Sequence, residues 1–115
     1  MIDLHWSGNL PPVFGRRGEM KMISYISDAL APVFAAHHVR KAVLFGSYGK
    51  GTPEPDSDID ILVDSGLKGL DFVELIEDVS EAVQKDIDLF DICHVEEGSL
   101  LHSKIRNTGV VIYET

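Results

Sequence analysis

Asp58 and Asp60 stand two residues apart in the run Asp58-Ile59-Asp60-Ile61-Leu62-Val63, whose other members are all apolar. In a strand, residues two apart project from one face, with backbones ~6–7 Å apart. At an effective dielectric near 20, carboxylates at that separation repel by roughly 2–3 kcal/mol, and strands disfavour aspartate in any case. Such a pair calls for a cation, and an all-oxygen donor set suits a hard one such as Mg2+ or Mn2+. Upstream, Gly46-Ser47 closes the apolar run Ala42-Val43-Leu44-Phe45 and opens a segment containing Gly49, Lys50 and Gly51. Glycine lets backbone N–H groups approach an anion closely, and a serine hydroxyl adds a donor. One loop therefore separates a place for an anion from a place for a cation, the two requirements of a metal-chelated triphosphate.

Three other phosphate- or ion-binding patterns fail on spacing. A P-loop needs its lysine just after the second glycine, whereas Lys50 precedes Gly51, and Pro53 and Pro55 block a following helix. The alternation Asp56, Asp58, Asp60 imitates the start of an EF-hand loop, but Ile61 holds its glycine position and Leu67 its closing glutamate. Glycines at 46, 49 and 51 do not match the dinucleotide-binding spacing.

The elements that must position these residues follow from periodicity. Ile23, Ile26, Leu30, Val33 and Phe34 recur at helical spacing over 21–37, with Pro32 expected to kink the helix or restart it. Residues 39–45 read as a strand. Residues 46–55, rich in Gly and Pro, read as a loop with room for one short helical turn. Residues 58–63 form a strand with Ile59, Ile61 and Val63 on one side and Asp58, Asp60 and Leu62 on the other. A turn at 65–69 leads into an amphipathic helix over 70–84, whose acids make a solvated face. A strand over 86–95, a short helix over 99–107 stopped near Gly109, and a last strand over 110–113 complete the order. Residues 1–19 carry Gly8, Pro11, Pro12, Gly15 and Gly18 without periodicity and read as an irregular arm. The patterned domain occupies 20–115.

The length of 115 residues suits one domain. A net charge of −9 repels polyanions and argues against nucleic acid as a partner; it suits a basic protein or a nucleotide escorted by metal ions. The single cysteine, Cys93, permits no internal disulfide, which points to a reducing cytoplasm, and its apolar neighbours mark it as a small buried hydrophobe. No apolar run is long enough to span a bilayer, and residues 1–8 do not read as a secretory signal. His37, His38, His94 and His102 show no metal-ligand spacing, and the adjacent His37 and His38 read as surface residues.

Gly46-Ser47, ten residues, then Asp58-Ile59-Asp60, preceded by the strand Val43-Leu44-Phe45, resembles the defining motif of the DNA polymerase beta-like nucleotidyltransferase superfamily. The single-domain length is similar to that of its minimal nucleotidyltransferases, often encoded beside a helical HEPN-domain toxin. The resemblance implies an α+β fold of two layers (α/β), a mixed sheet of about four strands with helices packed on one side. It implies two Mg2+ ions, with Mn2+ an alternative, held by Asp58, Asp60 and a third carboxylate on a neighbouring strand. Phe90-Asp91-Ile92 fits the family's context for the third, making Asp91 the expected ligand and Asp88 the second choice. Alternation puts Asp86 and Asp88 on the face opposite Asp91, so they cannot all serve. Ser47 and the Gly46 backbone would hold the outgoing pyrophosphate, and Lys50 would neutralise charge there. Many relatives carry Arg-Ala-Arg-Gly where this chain has Tyr48-Gly49-Lys50-Gly51; lysine keeps the charge but loses the guanidinium fork, and Tyr48 reads as packing. The implied activity is transfer of a nucleoside monophosphate from an NTP, expected to be ATP, to an acceptor hydroxyl. With no second domain to hold RNA or an antibiotic, the expected acceptor is a HEPN-type toxin and the expected role that of antitoxin. A binding module that neutralises its partner by contact alone, and transfer to a small molecule, are the alternatives.

Overall fold

The computed structural model describes residues 17–50 and 58–115. Its elements run α1 (Arg17–Ala36), β1 (Lys41–Phe45), α2 (Gly46–Lys50), β2 (Ile59–Asp64), α3 (Leu70–Val83), β3 (Ile87–Asp91), a 3-10 turn (Ile92–His94), α4 (Leu100–Thr108) and β4 (Val110–Glu114). The expected order of helices and strands holds, with short α2 as the helical turn after Gly46. Residues 1–16, and so most of the arm expected over 1–19, lie outside the described residues.

The strands form one sheet in the order β3-β2-β1-β4. β1 pairs antiparallel with both β2 and β4, while β2 and β3 run parallel. Parallel neighbours need a crossover, and α3 supplies it. The sheet is therefore mixed, as the resemblance implied.

Alternation along β2 sorts the core into two parts. Ile59, Ile61 and Val63 face α1 and α3, packing with Ile26, Leu30, Phe34, Leu75 and Val79. Leu62 faces the other way and packs with Val43, Phe45, Ile92, Val95 and Ile105. The two long helices thus share one face as expected, and α4 with the 3-10 turn covers part of the other. Asp58 and Asp60 belong to this second face, at the end of β2 where its apolar cover stops.

Pro32 does not break α1. It lies on the exposed side of the helix, as does Asp28, whose carbonyl loses its helical donor and meets solvent instead. Midway along α1, the Ser27 hydroxyl donates to the Ile112 carbonyl at 2.8 Å and ties the helix to β4.

Two glycines allow α2 to fit beneath α4. A Cβ on Gly49 would collide with the Thr108 carbonyl oxygen and stand 2.9 Å from that of Leu44, both backbone atoms that cannot step aside. Gly49→Ala is expected to cost about 2–3 kcal/mol, the scale of overpacking a filled core, read as a lowered urea midpoint with unchanged slope.

Candidate active site

The sequence places nearly the same phrase on two adjacent strands: Asp58-Ile59-Asp60-Ile61-Leu62 and Asp86-Ile87-Asp88-Leu89-Phe90. The parallel pairing aligns them residue for residue, Ile59 with Ile87, Asp60 with Asp88, Ile61 with Leu89 and Leu62 with Phe90. The Ile59 N–H donates to the Asp86 carbonyl at 3.1 Å and fixes the register where the acids sit. Asp60 and Asp88 are thus cross-strand neighbours on one face, separated by about 4.8 Å of sheet. Asp58, exposed, precedes Asp60 on that face.

This concentration of negative charge shows in Asp60. Burial raises its pKa; Lys104 opposes the rise, and Asp88 and Asp58 add to it, leaving the group above the ordinary carboxylate range. The Lys104 ammonium lies 3.5 Å from Asp60 Oδ2. The pair keeps the cation on the outside: the lysine side chain is 53% exposed and the aspartate 17%.

The Gly46 turn is built against the same carboxylate. Gly46 has φ +76°, and a Cβ there would collide with Asp60 Oδ2, so glycine is needed both for the backbone angle and for the close approach. The Gly46 N–H is not free for a phosphate, as the sequence reading had expected. It donates to Thr108 Oγ1 at 2.8 Å, and Thr108 Oγ1 donates to the Lys104 carbonyl at 2.6 Å. Gly46 contributes space and position, and α4 is bolted to the turn through its last residue. Ser47 follows, half-buried. Tyr48 is buried in the core between helices and sheet, and its hydroxyl accepts from Lys85 Nζ at 3.0 Å, a supporting role. The side chain of Lys50, together with Gly51 and Asp56, lies outside the described residues.

Asp91 does not join the cluster, and the expectation that it supplies the third carboxylate is corrected by geometry. It pairs with Val63, three residues beyond the Asp60–Asp88 pair, and the odd offset turns it to the opposite face. Its carboxylate is buried and engaged: Oδ1 accepts from the Ser65 N–H at 3.1 Å and the Ser65 hydroxyl at 2.6 Å, and Oδ2 from the Cys93 N–H at 3.1 Å. Burial would raise its pKa, but the hydrogen bonds from Cys93 and Ser65 outweigh burial and hold it below the ordinary range. It caps the 3-10 turn that ends β3, so the strand expected to reach Val95 stops at Asp91. In consequence Cys93 is exposed, not buried as expected.

The Asp91, Cys93 and His94 ligand atoms lie within 4.8 Å of one another, a proximity the sequence reading had not expected. Its thiol and imidazole are softer donors than Mg2+ prefers, and the Cys93 thiol is pushed up first by its hydrogen bond to Asp91, then by burial, which disfavours the thiolate a metal would need. The signal for Asp88 lies in the chain itself: the echo of Asp58-Ile-Asp in Asp86-Ile-Asp marks the strand that carries the matching acids.

Carboxylates aligned across two strands beside a tight glycine–serine turn are an arrangement suited to nucleotidyl transfer. Residues 28–115 match the family described as polymerase beta nucleotidyltransferase, and the chain belongs to it. A protein of Methanocaldococcus jannaschii, provisionally named a protein adenylyltransferase, is 33% identical over 90 residues, spanning 76% of this chain and 95% of the relative. Among solved structures, a chain in a crystal structure of a toxin–antitoxin with AMP-PNP superposes with a TM-score of 0.65 at 26% identity, over 77% of this chain and 73% of that one. A chain in the complex of tri-AMPylated Shewanella oneidensis HEPN toxin with MNT antitoxin gives a TM-score of 0.50 at 26% identity, over 85% and 71%.

Proposed function

We propose that this nucleotidyltransferase moves AMP from ATP to a hydroxyl group on a HEPN-type toxin, and that Asp58, Asp60 and Asp88 carry the divalent ions for that reaction. The observation that carries the reading is the Asp60–Asp88 register, which sets two carboxylates side by side on the face of Asp58. These three residues fit a hard divalent cation: the donors are all oxygens, they repel one another, and Asp60 already draws an ammonium group toward it. When bound, Mg2+ or Mn2+ would neutralise the triphosphate and lower the pKa of the acceptor hydroxyl.

The chain's own residues do the rest. Asp60, held rigidly by its strand and by contact with Gly46, fixes the position of the charge. Asp88, on the outer strand and exposed, would ligate an ion or take up the acceptor's proton. Ser47 would offer a hydroxyl donor to the departing pyrophosphate, and Lys50, three residues on in the sequence, would supply positive charge. The net charge of −9 suits a partner with a basic face. The names of the relatives, one a protein adenylyltransferase and one a complex with an AMPylated toxin, support a protein acceptor.

The test is transfer of label from α-32P-ATP to a HEPN-type toxin, with Mg2+, followed by mass spectrometry of the toxin. The expected result is a mass increase in whole AMP units, lost with EDTA. A toxin that stays unmodified while the chain still neutralises it would sink the reading in favour of inhibition by contact.

A further inference from the structure

Among the described residues, Lys104 is the cation paired with Asp60, 44 residues away in the sequence. Its position is not incidental. Thr108, one turn later on α4, receives the Gly46 N–H and donates to Lys104's own carbonyl, so the helix that carries the lysine is fixed to the glycine turn. The lysine stem crosses that turn, its Cε standing 3.5 Å from where a Cβ on Gly46 would be. Glycine at 46 thus leaves room for both the aspartate and the lysine. The ammonium thus lies beside Asp60 and its stem beside the Gly46 turn, next to both the proposed cation site and the proposed polyphosphate site.

The pair is also loose. At 3.5 Å it is longer than a charge-assisted hydrogen bond of about 2.7–2.9 Å. The lysine end of the pair is 53% exposed, so water can take up the ammonium as it leaves, and the four-carbon lysine stem is flexible enough to swing clear while α4 stays in place. An ammonium and a divalent ion cannot both crowd one carboxylate without repelling each other.

We propose that Lys104 is the internal counter-ion of the aspartate cluster: it holds Asp60 in the nucleotide-free protein, yields that carboxylate to the entering divalent ion, and transfers its charge to the polyphosphate at the Gly46-Ser47 turn. This rests on reading the cluster as a divalent-ion and triphosphate site. It assigns Lys104 opposite effects on the two ligands. The lysine competes with the metal ion and cooperates with the triphosphate.

The experiment measures Mn2+ binding to nucleotide-free protein by electron paramagnetic resonance, and binding of Mg2+–AMP-PNP by calorimetry. The proteins are wild type, Lys104→Met, Lys104→Arg and Asp60→Asn. Lys104→Met is expected to bind Mn2+ about 3- to 10-fold more tightly, as loss of an exposed ion-pair competitor implies, and AMP-PNP about 10-fold more weakly. Lys104→Arg keeps the charge and should stay near wild type in both. If wild type and Asp60→Asn bind Mn2+ equally weakly, the site reading itself fails and the inference falls with it. If wild type binds Mn2+ through Asp60 but Lys104→Met binds it no better, the counter-ion role is overturned with the site reading intact. Tighter Mn2+ binding with unchanged AMP-PNP affinity would overturn the transfer to polyphosphate.

Discussion

Asp60→Asn and Asp88→Asn are each expected to cut nucleotidyl transfer by at least about 10³-fold, the scale of losing a principal electrostatic stabiliser of a transition state, with the protein still folded. The two positions are aligned across β2 and β3, so either change removes one wall of the charge cluster. Asp60→Asn has a second consequence. Burial, together with the nearby Asp88 and Asp58 carboxylates, keeps the native pKa of Asp60 raised although Lys104 opposes it. A raised carboxylate pKa means that the native state binds the proton more tightly than the unfolded chain, so ionisation penalises folding. The penalty is fully present above the native pKa and absent below the unfolded value of about 3.9. The neutral isostere should therefore raise the metal-free stability near pH 7.5 by ~1 kcal/mol, in the manner of active-site residues retained for activity against stability. Thermal melts from pH 8 to pH 4 should show the advantage fading toward the acid end. An inactive variant with lowered stability at pH 7.5 would contradict the account of Asp60 as a strained charge.

Asp91→Ala should behave in the opposite way: stability falls by about 2–3 kcal/mol, the cost of leaving buried donors unpaired, while transfer per folded molecule stays within a few-fold of wild type. The substitution strips acceptors from the Ser65 N–H, the Ser65 hydroxyl and the Cys93 N–H. It also removes the cap of the 3-10 turn that follows β3. Here the hydrogen bonds win over burial and the native pKa is lowered. The stabilisation is then fully present above the unfolded pKa near 3.9 and lost as pH falls through the native value. The gap between wild type and variant should be widest at neutral pH and narrow below about pH 4. Measured by urea titration beside a label-transfer assay, the Asp91 and Asp88 variants separate cleanly: one loses stability, the other activity. A 10³-fold loss of transfer in well-folded Asp91→Ala would restore Asp91 to the site.

The candidate site was legible in the sequence where chemistry and local geometry coincide. Asp58-Ile-Asp in an apolar strand, and a glycine–serine pair ending the strand before it, are statements about neighbours in the chain. The order of helices and strands came from periodicity in the same way. What escaped depends on contacts between distant segments. The choice between Asp88 and Asp91 is set by the register of β3 against β2, which α3 determines through the length of its crossover; parity alone said only that the two face opposite ways. Apolar flanks made Asp91 look like an active-site acid, yet the same flanks belong to a strand end where a buried aspartate caps a turn. Cys93 was misplaced for the same reason, since a strand extended through residue 93 would have buried it. Gly46 looked like an anion donor because the partner of its N–H, Thr108, is 62 residues away.

β3 is the outermost strand on its side of the sheet, and this decides how an acceptor can arrive. Asp88 is exposed on that rim, so the proposed reactive corner would be approached from the edge of the sheet. A bulky folded molecule can lay one hydroxyl-bearing side chain along such an edge without unfolding, and its own surface then completes the enclosure that keeps water from intercepting the transferred group.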